Sequence, residues 1–245
     1  MKHIVTLSGG KDSTAMLLRM LELKMPIDEI HHFDVGNWDY PQVQRHINKL
    51  EKVIGIPIKR IKPERPFDYY FTEHIRTRGE KKGVKGYGFP GIRYRWCTRI
   101  KSYTLDHAVP KHGILKYIGI DRKEMKRSKS KILEKQYVKF PLIDWGWGGI
   151  KALRYCYSRG FYWEGLYNYF SRTGCWCCPF QSITELRTLR RYFPDLWQRL
   201  KEVQKLSDRT FLTNNVSIFD LDKRFEDEEK HKFFKYKKKI NGEEK

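Results

Sequence analysis

The sequence predicts an α/β protein: a parallel sheet with helices on both faces, followed by a smaller, mostly helical C-terminal part that carries a cysteine cluster. Three observations predict it. Short apolar runs alternate with segments of helical period through the first 120 residues. A glycine turn, Ser8-Gly9-Gly10-Lys11-Asp12-Ser13, joins the first apolar run directly to the first helical segment. Three of the five cysteines (Cys97, Cys156, Cys175, Cys177 and Cys178) fall within positions 175–178.

The elements follow in order. Residues 4–7 read as a buried strand, and 13–23 as a helix buried on a broad face through Ala15, Met16, Leu17, Leu18, Met20 and Leu21. A second strand is expected at 30–35. A helix over 41–54 follows, with Pro41 in its first turn and Val43, Ile47, Leu50 and Ile54 on one face. Residues 56–61 make a third strand, and right-handed crossovers connect the three. The stretch 76–95 is rich in Gly, Lys and Arg and lacks a period, so it reads as a mobile basic loop. A helix over 96–108, a strand over 116–120 and helices over 150–158 and 184–206 come next. From Asp220 the chain is a charged amphipathic stretch ending in a lysine-rich tail, 235–245. A composition shift near residue 140 divides a nucleotide-binding domain, 1–140, from a cysteine-cluster region, 141–245.

A length of 245 residues with 40% hydrophobic content is enough to bury a substantial core. No window approaches the ~18 continuous apolar residues of a membrane span, and the N-terminus lacks an export signal, so the expected compartment is the cytoplasm, with no membrane partner. Fifty Lys plus Arg against 29 Asp plus Glu give a formal charge of +21, which attracts polyanions. The basic residues crowd two segments. One holds Arg76, Arg78, Lys81, Lys82, Lys85, Arg93, Arg95, Arg99 and Lys101; the other holds Arg122, Lys123, Lys126, Arg127, Lys129 and Lys131. These segments, 76–101 and 122–131, are the expected docking places for a nucleic acid, tRNA or DNA. The sequence fixes no oligomeric state.

A glycine loop between a first parallel strand and its helix is where such sheets bind ligands. Gly9 and Gly10 let main-chain amides converge on an anion, Lys11 adds a full positive charge, and Ser8 and Ser13 add hydroxyls. Asp12 is the odd member; it caps the helix, orients Lys11 or helps hold Mg²⁺ near phosphates. Lys11 and Asp12 are the catalytic candidates. The spacing is not that of the ordinary phosphate loop. His31 and His32, on an apolar strand, read as packing residues. The aromatics Trp145, Trp147, Tyr155, Tyr157, Phe161, Tyr162 and Trp163 read as core or interface before base-stacking surface.

The hexapeptide Ser8–Ser13 resembles the PP-loop of the N-type ATP pyrophosphatases. Four later segments resemble motifs of one branch of that superfamily, the phosphoadenosine phosphosulfate reductase family. They are Trp96-Cys97-Thr98-Arg99-x-Lys101, Gly119-Ile120-Asp121-Arg122, Pro141-Leu142-Ile143-Asp144-Trp145 and Gly174-Cys175 to Cys178-Pro179. The likeness covers residues 1–185 in matching order. It implies a Rossmann-like fold and a site for ATP or an adenylyl sulfonucleotide. That site is formed by Ser8, Gly9, Gly10, Lys11, Asp12 and Ser13, by Asp34 and Gly36 at the end of the second strand, and by Gly119 and Arg122.

Cys175 and Cys178 have metal-ligand spacing with Cys177 between them, and Cys97 offers a third or fourth thiolate. A zinc site is one reading of these thiolates; the resemblance implies a [4Fe–4S] cluster. Cys156, between two tyrosines, reads as core. Two departures from the reductase pattern matter. The early motif holds one cysteine rather than a pair, and no cysteine follows Cys178. The expected activity is therefore ATP-dependent adenylylation coupled to sulfur transfer, with a thiol or sulfur-donor protein as a further partner. Sulfonucleotide reduction and a non-catalytic nucleotide or nucleic-acid binding module are the alternatives.

Overall fold

A computed structural model describes residues 1–128, 137–212 and 214–240. Its centre is a five-stranded, wholly parallel sheet in the order β3-β2-β1-β4-β5. The strands are β1 (Lys2–Leu7), β2 (Glu29–Phe33), β3 (Ile58–Ile61), β4 (Ile114–Ile118) and β5 (Val138–Lys139). Helices pack around this sheet, as expected of strands buried on both faces. In chain order the described α-helices as far as residue 158 are α1 (Lys11–Glu22), α2 (Pro41–Ile54), α3 (Phe67–Thr72), α4 (Trp96–His107), α5 (Met125–Ser128), α6 (Pro141–Asp144) and α7 (Gly149–Ser158). The order runs from β1 outward through β2 to β3 on one side and through β4 to β5 on the other. The carboxyl end of β1 is therefore the point where the winding reverses, the ligand-binding position of open α/β sheets.

Local sequence accounts for the elements that build this point. Ile4, Val5 and Leu7 of β1 and Ala15, Met16, Leu17 and Met20 of α1 are buried, each of these side chains except the Ala15 methyl contributing on the order of 1.5–3 kcal/mol. Pro41 opens α2 at its first turn, and Gly55, left-handed at φ 67°, closes it by returning its N–H to the Glu51 carbonyl. His31 and His32 are buried packing residues, as expected. His31 Nε2 lies 2.6 Å from Glu29 Oε2 and His32 Nδ1 lies 3.0 Å from the Leu7 carbonyl.

The chain divides into two compact units: residues 1–67 with 97–175, and residues 68–96 with 176–245. This differs from a boundary at 140. Composition shifts there, but α7 packs against α1, so chain well past 140 belongs with the sheet. The second unit contains α8 (Ile183–Tyr192), α9 (Pro194–Lys205) and α10 (Ile218–Ile240). Ser182 and Glu185 form a reciprocal capping box at the start of α8. The single helix expected over 184–206 is two helices. Pro194 cannot continue α8, Phe193 leaves helical geometry at φ −134° and ψ 59°, and Pro194 instead starts α9. Asp222 ties the three helices together, accepting from Arg190 and Trp197 at 2.8 Å each and from Lys201 at 3.0 Å.

The basic stretch 76–95 carries more structure than its composition suggests. Ile75 and Lys85 form an antiparallel bridge, Gly83 N–H returns to the Arg76 carbonyl at 2.8 Å, and Arg76 Nε donates to the Gly86 carbonyl at 2.6 Å. Arg78, Lys81, Lys82, Lys85, Arg93, Arg95 and Arg99 are exposed, as are Arg122, Lys123 and Lys126. Lys129 and Lys131 lie outside the described residues, as do 241–245 of the tail; the side chain of Arg127 is likewise not described. No described helix is long and apolar enough to cross a membrane.

Candidate functional site

The loop between β1 and α1 belongs to the first unit. Its hydroxyls are locked together: Ser8 N–H donates to Ser13 Oγ at 3.1 Å, the two Oγ atoms lie 2.9 Å apart, and Ser13 Oγ donates to the Gly10 carbonyl at 3.1 Å. The loop glycines are dictated by neighbours. Gly9 has φ +79°, and a Cβ there would lie 2.9 Å from Val43 Cγ1 of α2. A Cβ on Gly10 would lie 3.0 Å from Thr173 Oγ1. Gly119, just beyond β4, is packed still closer, because a Cβ would come within 2.6 Å of Ser13 Cα and 2.7 Å of Ser13 N. Gly119 therefore belongs to the loop by contact, although it is more than a hundred residues distant in sequence.

The charged groups of the loop are partly buried. Lys11 Nζ pairs with Asp12 Oδ2 at 3.0 Å. Burial holds the Asp12 carboxyl above the usual aspartate range against the opposing pull of Lys11, and the nearby Asp121 and Glu124 push the same way as burial. Asp12 Oδ1 is buried and has no hydrogen-bond partner among the described residues. An orphaned carboxylate oxygen with acidic neighbours is electrostatically suited to a cation. Gly149, at the start of α7, completes this side of the loop. Its N–H donates to Asp121 Oδ2 at 2.7 Å, and a Cβ there would lie 2.9 Å from Lys11 Cε.

A segment that sequence reasoning left as core aromatics covers the loop. Trp163 Nε1 donates to the Gly9 carbonyl at 2.7 Å, Lys11 N–H donates to the Tyr167 hydroxyl at 2.7 Å, and Thr173 Oγ1 lies 3.3 Å from that hydroxyl. Lys11 Nζ also stands 5.6 Å from the centre of the Tyr167 ring. Trp163 and Glu164 are left-handed at φ +46° and +50°, followed by Gly165 at +80°. Two such non-glycine residues cost about 1–3 kcal/mol each and persist only where surroundings fix them. Here Arg45 grips Glu164 through two bonds of 2.6 and 2.5 Å, and His46 stacks on Trp163 at 4.1 Å between centroids. Cys156 is core, as its sequence context suggests; it is fully buried and its thiol donates to the Lys11 carbonyl at 3.4 Å. Burial pushes that thiol far above its usual range, so it is inert as a nucleophile.

The other expected nucleotide contacts lie around the same sheet edge. Asp34 follows β2, where its Oδ1 accepts the Gly36 N–H at 2.8 Å and its carboxylate pairs with Lys62 at 3.6 Å. Gly36, at φ +62°, starts a short 3₁₀ turn. Arg122 is fixed by its main chain, its N–H donating to the Trp147 carbonyl at 3.0 Å, while its side chain is exposed.

The cysteines fall in both compact units. None is in a disulfide. Cys97, in the first turn of α4, and Cys175, bridged through its main chain to Asp39, belong to the first unit; Cys177 and Cys178 belong to the second. Cys177 is buried, and Cys97, Cys175 and Cys178 are half-buried. Among the described residues no group of three or more His, Cys, Asp or Glu side chains is placed to hold a metal ion.

Two uncharacterised proteins of Methanocaldococcus jannaschii are similar to this chain. One is 28% identical over 218 residues, covering 82% of this chain and 41% of the relative. The other is 25% identical over 215 residues, covering 81% and 46%. The chain thus spans less than half the length of these curated relatives. Among solved structures, the U34-tRNA thiolase NcsA from Methanococcus maripaludis with its [4Fe–4S] cluster aligns over 88% of this chain and 75% of its own. That alignment has 12% identity and a TM-score of 0.42. The phosphoadenosine phosphosulfate reductase domain matches residues 2–181, from the first strand through the last cysteine, and the chain belongs to that family.

Proposed function

We propose that this chain is a PP-loop enzyme that binds ATP or an adenylyl nucleotide at Ser8–Ser13 and transfers the adenylyl group to an oxygen of an acceptor. Pyrophosphate leaves as the acceptor oxygen bonds to the α-phosphorus. A sulfur nucleophile, delivered by a thiol or sulfur-donor protein, then displaces AMP. The observation that carries this reading is the loop itself. It combines a lysine ammonium, two interlocked serine hydroxyls and an unpartnered buried carboxylate oxygen at the switch point of a parallel sheet.

Each residue has a role that its surroundings support. Lys11 offsets charge that develops on the phosphates as the α–β bond breaks. Ser8 and Ser13 offer hydroxyls and Gly9 and Gly10 admit close approach, while Gly119 keeps β4 against the start of α1. Asp12 would hold Mg²⁺ through its free oxygen, and that ion, when bound, neutralises phosphate charge. Asp34, Gly36 and Arg122 are proposed contacts to the rest of the nucleotide. The basic segments 76–101 and 122–131 are each proposed as a docking place for a nucleic-acid acceptor, tRNA or DNA. A cysteine centre drawn from Cys97, Cys175, Cys177 and Cys178 is a further proposal, and none of the steps above depends on it.

Family membership supports a second reading, reduction of a sulfonucleotide. One assay separates the two. Pyrophosphate release from ATP, dependent on acceptor and abolished in Lys11→Ala, supports adenylylation. Sulfite release from a sulfonucleotide with a thiol reductant, without pyrophosphate release from ATP, replaces it with the second reading.

A further inference from the structure

The first-turn amides of a helix are its anion-binding donors, yet the first amide of α1 is already engaged: Lys11 N–H donates to the Tyr167 hydroxyl at 2.7 Å. A phosphate reaching for the Lys11 amide must either expel the phenol or bind to it. Expulsion is opposed by the way the covering segment is fastened. Trp163 bonds the Gly9 carbonyl, Glu164 is held by Arg45, and Phe170 packs on Tyr40 at 5.3 Å between centroids. The left-handed run at 163–165 shows that these fastenings outweigh local backbone preference.

We propose that Tyr167 is a phosphate-binding residue of this site, its phenol serving as the outward hydrogen-bond donor of the loop; the proposal rests on the nucleotide reading of Ser8–Ser13. The hydroxyl accepts from the Lys11 amide, so its own proton is left to give. Among the described residues its other hydrogen-bond partner, Thr173 Oγ1, stands at 3.3 Å, a long bond for two hydroxyls. The helix amide thus presents itself to the ligand through the phenol, displaced outward by one hydrogen bond. Lys11 Nζ, over the face of the same ring, adds its charge beside that donor. Burial raises the phenol well above its ordinary range, so near neutral pH it is an uncharged donor toward an anion.

The test is calorimetric titration of wild type, Tyr167→Phe and Lys11→Ala with Mg·ATP, inorganic pyrophosphate and adenosine, alongside thermal melting. Tyr167→Phe removes one hydrogen bond to a charged ligand. It is expected to weaken ATP and pyrophosphate about ten-fold to a hundred-fold, leaving adenosine affinity within about two-fold and the melting temperature close to wild type. ATP and pyrophosphate binding that is unchanged or tighter in Tyr167→Phe, with Lys11→Ala still impaired, overturns the proposal and leaves the loop reading standing. Equal losses for all three ligands, or a melting temperature lowered in step, make Tyr167 a scaffold residue and likewise overturn it. Unchanged ATP binding in both variants removes the loop reading together with the proposal.

Discussion

Replacing Gly119 by alanine adds one methyl group at the place where the end of β4 meets the β1–α1 loop. That Cβ would lie 2.6 Å from Ser13 Cα, 2.7 Å from Ser13 N and 3.0 Å from Asp12 C, all main-chain atoms that no rotamer change can move. Reaching ordinary contact at 3.4 Å requires the closest pair to separate by 0.8 Å, that is 3.4 minus 2.6. Overpacking of this kind costs roughly 1–3 kcal/mol, partly offset by about 0.4–1 kcal/mol from a stiffer unfolded chain. At this chain length the melting temperature should fall by about 2–8 °C. The displaced groups are Asp12 and Ser13, so the functional loss should exceed the stability loss; a shift near 1 Å at a reacting site costs on the order of 100-fold. Calorimetric melting and ATP titration of wild type and Gly119→Ala measure both. Gly148→Ala, where the added methyl meets open space, is the control and should stay within about 1 kcal/mol of wild type. A Gly119→Ala protein that melts within about one degree of wild type and binds ATP equally well would refute the argument that this contact sets the loop.

Three further outcomes are expected. His46 is buried against Trp163 and Thr14, and burial lowers its pKa to about 3. Below ~6.5 the unfolded imidazole takes up a proton that the folded one refuses, so stability should decline as pH falls from 6.5 toward 3, by up to about 1.4 kcal/mol per unit. His46→Gln should flatten that slope in urea titrations across pH. Trp163→Phe deprives the buried Gly9 carbonyl of its indole donor and should cost about 1–3 kcal/mol by thermal or urea unfolding; a neutral result would show that the strap does not hold the loop. Finally, protein purified without oxygen should carry about four iron and four acid-labile sulfides if the cysteines assemble a cluster. Cys97→Ser, Cys175→Ser and Cys178→Ser should each lose them, and an iron-free, zinc-free protein would end the cysteine-centre proposal.

What was legible in the sequence was what is local. The hexapeptide Ser8–Ser13 announces its own geometry, because its glycines, lysine and hydroxyls act within one turn of chain, and the buried faces of α1 and α2 repeat at helical spacing. Gly119 was found only through resemblance; its reason, contact with Ser13, is a packing fact invisible to periodicity. Tyr167, Trp163 and Thr173 were missed because they meet the loop from more than 150 residues away, from a segment that enters through the left-handed residues 163–165, which no propensity favours. The aromatic density at 161–170 was the available signal, and it reads equally well as core. Pro194 did signal a break in the long helix, but the apolar period continues across it. The division of the chain follows α7 packing on α1 rather than composition, and so was displaced from the expected place.

The measurement that bears most directly on the account is calorimetric titration of the wild-type chain and Lys11→Ala with Mg·ATP. The account predicts saturable binding of about one nucleotide per chain, lost or weakened by at least ten-fold when the ammonium that faces the phosphates is removed. Equal binding by both proteins, or none by the wild type, would contradict the claim that Ser8–Ser13 is a nucleotide site.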